Sequence, residues 1–385
     1  MKKEDVSELF VWILILGGAA AYFFLVIKPQ ADHSFLFHQT SWFVYVLFFI
    51  AAVVVGVIIN AIMYELAHVI GAKAGRYEIV SVSILGFTSI KENGKRKLRF
   101  THFDGLTGET KILPKARAKI EPNPSCYLLF GSLFFGIEII IIIFAFLFIK
   151  TYQPTNSFAV DWAYFILTIG IAGAAILFYN IVPFHLGSLT DGYRLRLVGS
   201  RKNRQAFNHL LYTEVTGQMS KEQEEKLFKD EKDTNFSTDI NLNKAYILLS
   251  EEKFAEAEQI LNEIISDEKT SRRIAANAED QLIYINIVSK SLEEATIYCD
   301  NNVSMSKKRE LSSDQSMGAI RTYILIAGLM EKSNSECMRA LEKSKKSFSH
   351  VPEQRKPLER ALFNKALEKV IVAHPNWEGL KDYLL

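Results

Sequence analysis

Tyr64-Glu65-Leu66-Ala67-His68 departs by one residue from H-E-x-x-H, a helical motif in which two histidines at i and i+4 clamp zinc. In that motif the glutamate takes a proton from metal-bound water. Here the glutamate and the second histidine are present, and Tyr64 stands where the first histidine would be. The pentapeptide lies toward the end of an apolar run. An acid at the centre of a bilayer-spanning helix costs roughly 2.5–3.5 kcal/mol, so such residues mark functional sites.

A metal in that position needs a further ligand from another segment. Asn180-Ile181-Val182-Pro183-Phe184-His185-Leu186-Gly187-Ser188-Leu189-Thr190-Asp191-Gly192 combines a polar Asn, a helix-breaking Pro and an Asp-Gly pair at the end of another apolar run. Irregular backbone near a bilayer is tolerated where it is buried in protein or lines a wet cavity. That string is the best place for the further ligand beside Glu65 and His68. A phenol has a pKa near 10 and must lose its proton to bind zinc, and its oxygen projects farther from the backbone than an imidazole nitrogen. His185 or His102 could supply a nitrogen instead.

Four segments long enough to cross a bilayer must carry these groups, at about 9–27, 42–70, 126–149 and 162–182. The first lacks a small-residue cleavage site and reads as a retained anchor. The second holds Asn60 and the pentapeptide; the third holds Glu138. Basic residues fix the orientation. Eleven Lys and Arg fall between Gly71 and Ser125, and five more lie between Arg194 and Arg204, against one each in the loops at 28–41 and 150–161. Both termini, the basic loop and the C-terminal half are thus predicted to be cytoplasmic.

The chain is 49% hydrophobic with 27 Phe, yet the apolar runs are confined to residues 1–200. A net charge of only +2 gives no reason to expect a nucleic-acid partner. Cys126, Cys299 and Cys337 are odd in number and widely spaced, which argues against a disulfide framework. The loop at 76–114 predicts a small β-hairpin element: a strand over 76–87, a turn at Asn93-Gly94, a returning strand over 97–103, then a glycine-punctuated piece around Gly105. Such a sheet either is a connector meeting anionic headgroups or receives an extended peptide on its edge.

Residues 201–240 read as a charged helical linker, with Ser220–Gln223 as a capping box. Residues 241–385 read as helical pairs: apolar spacing recurs in 243–265, 278–295 and 320–341, like degenerate tetratricopeptide-type repeats, against a plain helical bundle. The predicted fold is mainly α: a polytopic membrane domain (1–200) followed by a tetratricopeptide-like domain that would dock a cytoplasmic protein.

The pentapeptide at 64–68, the following Gly71-Ala72-Lys73-Ala74-Gly75 and the Asn180…Pro183…Asp191-Gly192 string together resemble the site-2 protease family of intramembrane zinc metalloproteases, bacterial branch, over roughly residues 42–200. The resemblance implies a bacterial cell membrane location and a membrane-embedded or signal-derived peptide as substrate. It also implies zinc on positions 64, 68 and 191, Glu65 as general base, and Asn180 as the residue that positions substrate. Two features depart from the family pattern: Tyr64 replaces a ligand, and the Pro183-to-Asp191 spacing is longer. Two functions follow. One is a catalytically impaired homologue that binds peptides or regulates partners. The other is an active zinc intramembrane protease that uses Glu65, His68 and Asp191 with an unusual third ligand. A self-contained transporter is disfavoured by four spans without an inverted repeat.

Overall fold

A computed structural model describes the chain apart from residues 1–2, 32–33, 93, 101–107, 116–120, 153–156, 185, 187–189, 220–235 and 269. Asn93, His102, Gly105, His185 and the Ser220–Gln223 segment, on which expectations were placed, lie outside the described residues. The chain is mainly helical, with a small antiparallel sheet. Its contacts divide it into two compact units, residues 1–88 with 103–200, and residues 89–102 with 201–385.

In the first unit, α1 (Lys3–Tyr22) runs through a π-helical turn (Phe23–Ile27) into α2 (Lys28–Gln30), and a short α3 (Phe35–Gln39) precedes α4 (Trp42–Ala74). After the sheet come α5 (Pro124–Tyr152), α6 (Ser157–Ile181) and α7 (Asp191–Leu197). Four segments are long and apolar enough to cross a membrane: Asp5–Gln30, Trp42–Ala74, Pro124–Thr151 and Phe158–Ile181. They coincide with the four predicted spans, each extended by a few residues.

Helix α4 packs against both α5 and α6. Its buried face includes Tyr45, Phe49, Ala52, Gly56, Asn60, Tyr64, His68 and Gly71, a three-to-four-residue spacing that keeps one side of the helix inward. Glycine permits the closest approaches. A Cβ on Gly56 would sit 2.6 Å from the Ile169 carbonyl of α6, and one on Gly71 would sit 2.7 Å from the Cys126 carbonyl of α5. Membrane helices associate through small residues in this way because lipid offers no hydrophobic drive between them. At the end of α4 the left-handed residue is Arg76 (φ 69°), whereas Gly75 keeps φ −75°. Glycine is needed at 75 for space, since a Cβ there would meet the Asn123 carbonyl at 2.6 Å.

The sheet comprises β1 (Tyr77–Ile84), β2 (Phe87–Glu92), β3 (Lys95–Phe100) and β4 (Gly108–Pro114), in the order β3-β2-β1-β4. The predicted strand over 76–87 is therefore split. Leu85 (φ 48°) and Gly86 (φ 89°) form a two-residue turn of the primed type that matches strand twist. A leucine in that conformation carries no turn signal, so the sequence shows only one long run. β4 pairs antiparallel with β1, with Tyr77 opposite Pro114 and Ile84 opposite Gly108, and the register slips between Ile79 and Ser81. The predicted hairpin is thus the β2–β3 half of a four-stranded sheet with β4 on one edge.

The second unit contains α8 (Arg201–Thr216), α9 (Ser237–Ser250), α10 (Phe254–Ser266), α11 (Arg272–Ser289), α12 (Leu292–Asn302), α13 (Met305–Ser313), α14 (Met317–Leu325), α15 (Asn334–Phe348) and α16 (Lys356–Ala373). Helix α8 buries Ala206, Phe207, Leu210 and Val215, and Phe207 stacks obliquely on Phe236. Serine side chains cap α11, α12, α13, α14 and α15, and Ser291 forms a full capping box with Glu294.

Arg321, wholly buried, is the polar centre of this unit. It pairs with Glu359 at 2.8 Å and with Gln281 at 2.5 Å, under the rings of Tyr246 and Tyr284. Glu92 at the end of β2 is a second hub: Lys97 and Arg99 lie 2.9 Å from it and Lys356 lies 3.3 Å away. The hydrogen bond from Lys97, against a burial effect, together with Lys356 and Arg99, holds the Glu92 carboxyl below its ordinary range. Glu92→Ala leaves three cations without their common partner. Because those cations remain solvent-accessible, it is expected to destabilise this unit by about 1 kcal/mol, and more at low salt. Denaturant unfolding at two ionic strengths checks this; equal stability to wild type at both would contradict it.

Candidate functional site

The site is assembled by α4, α5, β4 and α7. Tyr64 and His68, four residues apart on α4, present their rings edge to face with centroids 4.6 Å apart. The Tyr64 ring fits because α5 offers Gly131: a Cβ there would approach it to 2.7 Å. Tyr64, Glu65 and His68 are each about 2–3% exposed.

Asp191 is the first residue of α7, and its position is set by the backbone around it. Thr190 caps the helix, accepting from the Tyr193 amide and donating to the Val182 carbonyl at 2.7 Å. Gly192 allows this turn to press on the end of α6, where a Cβ would lie 1.8 Å from the Ile181 carbonyl. The Asp-Gly pair thus has two tasks, the aspartate facing the site and the glycine letting it arrive there.

Asp191 Oδ2 accepts from the Tyr64 hydroxyl and lies 3.0 Å from His68 Nε2. His68 Nδ1 is 3.2 Å from the Tyr127 carbonyl at the start of α5, so both ring nitrogens face oxygens. Burial would raise the Asp191 carboxyl, but His68 opposite, Arg194 and the hydrogen bonds from His68 and Tyr64 outweigh it and hold the carboxyl below the ordinary aspartate range. Glu65 points at the sheet: Thr110 of β4 donates to its Oε2 at 2.6 Å. The Tyr127 hydroxyl in turn donates to the Thr110 carbonyl at 3.2 Å.

Three of the residues read from sequence, Tyr64, His68 and Asp191, thus meet directly, and Glu65 sits beside them. Asn180 does not join them by hydrogen bond among the described residues; it is half-buried, one residue before the end of α6. Thr110 and Tyr127 were not singled out from sequence. A threonine in a strand and a tyrosine at a helix start are ordinary there, and only the fold brings them to Glu65 and His68.

The donor set can be tested against zinc. A catalytic zinc centre takes three protein donors, deprotonated, at about 2.0–2.3 Å. Here one imidazole and one carboxylate are on hand, and the third vertex is a phenol whose hydroxyl donates a hydrogen bond to that carboxylate. No group of three or more His, Cys, Asp or Glu suited to a metal occurs among the described residues. This set does not fit a three-ligand zinc site. What it forms is a hydrogen-bonded Tyr–Asp–His cluster adjoining a glutamate held by the sheet. Comparisons with family models, curated proteins and solved structures gave no match.

Proposed function

We propose that the chain is a site-2-protease-like membrane protein that holds membrane-embedded or signal-derived peptides and does not cleave them efficiently. The observation that carries this reading is the Tyr64 hydroxyl donating to Asp191 Oδ2, the same oxygen that His68 faces. That bond occupies the place of a metal ligand and satisfies the aspartate without a metal. Charge-assisted hydrogen bonds of this kind contribute about 1.5–3 kcal/mol each, so the closed cluster is a stable arrangement in its own right.

Peptide capture is supported by β4, an edge strand of the sheet whose Thr110 reaches Glu65. An extended peptide adding to that edge would gain main-chain hydrogen bonds and lie alongside Glu65 and His68. The helices of residues 237–373 form the second binding element, a tetratricopeptide-like surface for a cytoplasmic protein, as their paired packing and drifting repeat suggest.

The competing reading, an active zinc protease with Tyr64 as a phenolate ligand, draws on one specific feature. His68 Nδ1 faces the Tyr127 carbonyl, the backing that zinc-bound histidines commonly have. Zinc analysis of the detergent-purified full-length protein separates the two. Substoichiometric zinc, with peptide binding indifferent to Glu65→Gln, supports the first. One tightly held zinc per chain with Glu65-dependent cleavage of a membrane peptide would overturn it.

The reading also places the basic loop and the second unit in the cytoplasm. Single cysteines at Lys91 and Lys332, in a background lacking the three native cysteines, should be shielded from an impermeant maleimide in intact cells. Those at Gln39 and Thr151 should react. Labelling of Lys91→Cys from outside would reject the orientation.

A further inference from the structure

Four residues before Tyr64, on the same inward face of α4, stands Asn60, 3% exposed. Across from it is Glu138, at the middle of α5 and 7% exposed. The carboxyl of Glu138 lies beside the Asn60 side chain. Its Oε2 is buried and has no hydrogen-bond partner among the described residues. Helix α6 closes the third side with Gly173, where a Cβ would fall 1.8 Å from Asn60 Nδ2 and 2.6 Å from its Oδ1. Asn60 is itself fixed, donating from Nδ2 to the Gly56 carbonyl at 2.9 Å.

An acid, an amide and a glycine from three helices therefore converge inside an apolar bundle. No Lys, Arg or His among the described residues balances the acid. The side chain beside it is Asn60 from α4, which does not titrate, and the next titratable side chain on that face of α4 is Tyr64. A buried acid without a counter-charge is costly in a membrane. A single positive charge seated against that bare carboxylate oxygen would balance the acid. Membrane proteins hold protons and sodium on such oxygen sets between helices.

We propose that Glu138 and Asn60 form a binding site for one monovalent cation, a proton or sodium, at the meeting point of α4, α5 and α6. Filling it neutralises the carboxylate and lets the three helices keep their close approach at Gly56 and Gly173. Because Asn60 and Tyr64 share a helix face, an empty site would disturb the seat of Tyr64 against Gly131. The site does not depend on whether peptides are bound or cleaved.

The test is thermal unfolding of the purified full-length protein in detergent. Sodium is exchanged for choline at constant ionic strength, and the series is repeated across pH. A sodium site gives a wild-type midpoint that climbs with sodium, a flat response in Glu138→Gln and a weakened one in Asn60→Ser. A proton site gives no sodium response. The wild-type midpoint instead drops relative to Glu138→Gln as pH rises, because the glutamine is a permanent stand-in for the neutral acid. A carboxylic-acid carbonyl band in the infrared spectrum, absent from Glu138→Gln, would accompany the second outcome and needs no other variant. Glu138→Gln following wild type in both titrations, with no infrared difference, overturns the proposal.

Discussion

Tyr64→His is expected to convert a protein with little zinc into one that binds about one zinc per chain. The substitution restores H-E-x-x-H on one face of α4, and the shorter imidazole vacates space against Gly131 where the phenol ring now sits. Asp191 loses the hydrogen bond that occupies it and becomes available as a ligand with His68. At free zinc a thousandfold above Kd, binding should add about 4 kcal/mol to apparent stability, visible as a metal-dependent rise in unfolding midpoint. Asp191→Ala in the same background should remove the gain. If the variant folds and takes up no metal, the arrangement of α4 and α7 is not a latent metal site, and the peptide-binding reading loses its link to the protease motif. The hydrogen-bonded site itself would stand.

Arg321→Ala carries the largest expected cost in the helical unit. Removing one partner of a buried ion pair costs about 3–5 kcal/mol because the other charge stays behind. Here the one left is Glu359, 5% exposed, which keeps Arg355 at 3.0 Å, so the lower end of that range applies. In wild type, burial pushes its carboxyl up, but Arg321 and Arg355, by charge and by hydrogen bond, hold it below the ordinary range. The stabilisation from a depressed carboxyl is present above its unfolded pKa, about 4.3, and disappears as acid drives the pH down through the lower folded value. The variant loses the Arg321 share of that effect and keeps the Arg355 share, so its stability should vary less with acid. Hydrogen exchange in the full-length protein, followed over 237–373, reads the loss where it occurs. Protection unchanged from wild type would mean the pair contributes little. Replacing Arg321 and Glu359 together with Met and Leu should cost far less than Arg321→Ala alone.

The spans could be read from sequence because an apolar run of some twenty residues has one stable solution in lipid. The serine caps of α11, α12, α13, α14 and α15 were not singled out from sequence, although serine before a helix is a local signal. The site was legible because Tyr64 and His68 at i and i+4 must share a helix face, and because Asp191-Gly192 is an unusual pair beside an apolar helix. Thr110 was not legible, since its approach to Glu65 depends on how β4 pairs with β1, a contact between distant segments. Nor was the Leu85-Gly86 turn, where leucine adopts a conformation that asparagine or glycine usually supplies. Glu92 looked like one charge in a basic loop; only its folding beside Lys97, Arg99 and Lys356 makes it a hub.

The glycines along α4 and its neighbours have a bearing on how this chain can drift. Gly56 and Gly71 on α4, Gly131 on α5 and Gly173 on α6 each leave no room for a single added carbon. Position 64 therefore accepts tyrosine only while position 131 stays glycine, and position 60 accepts asparagine only while 173 does. Substitution rates at these sites should be tied in pairs across helices. A mutational scan of α4 would show a tolerant outward-facing side and an intolerant stripe whose strictness is set from the opposite helix.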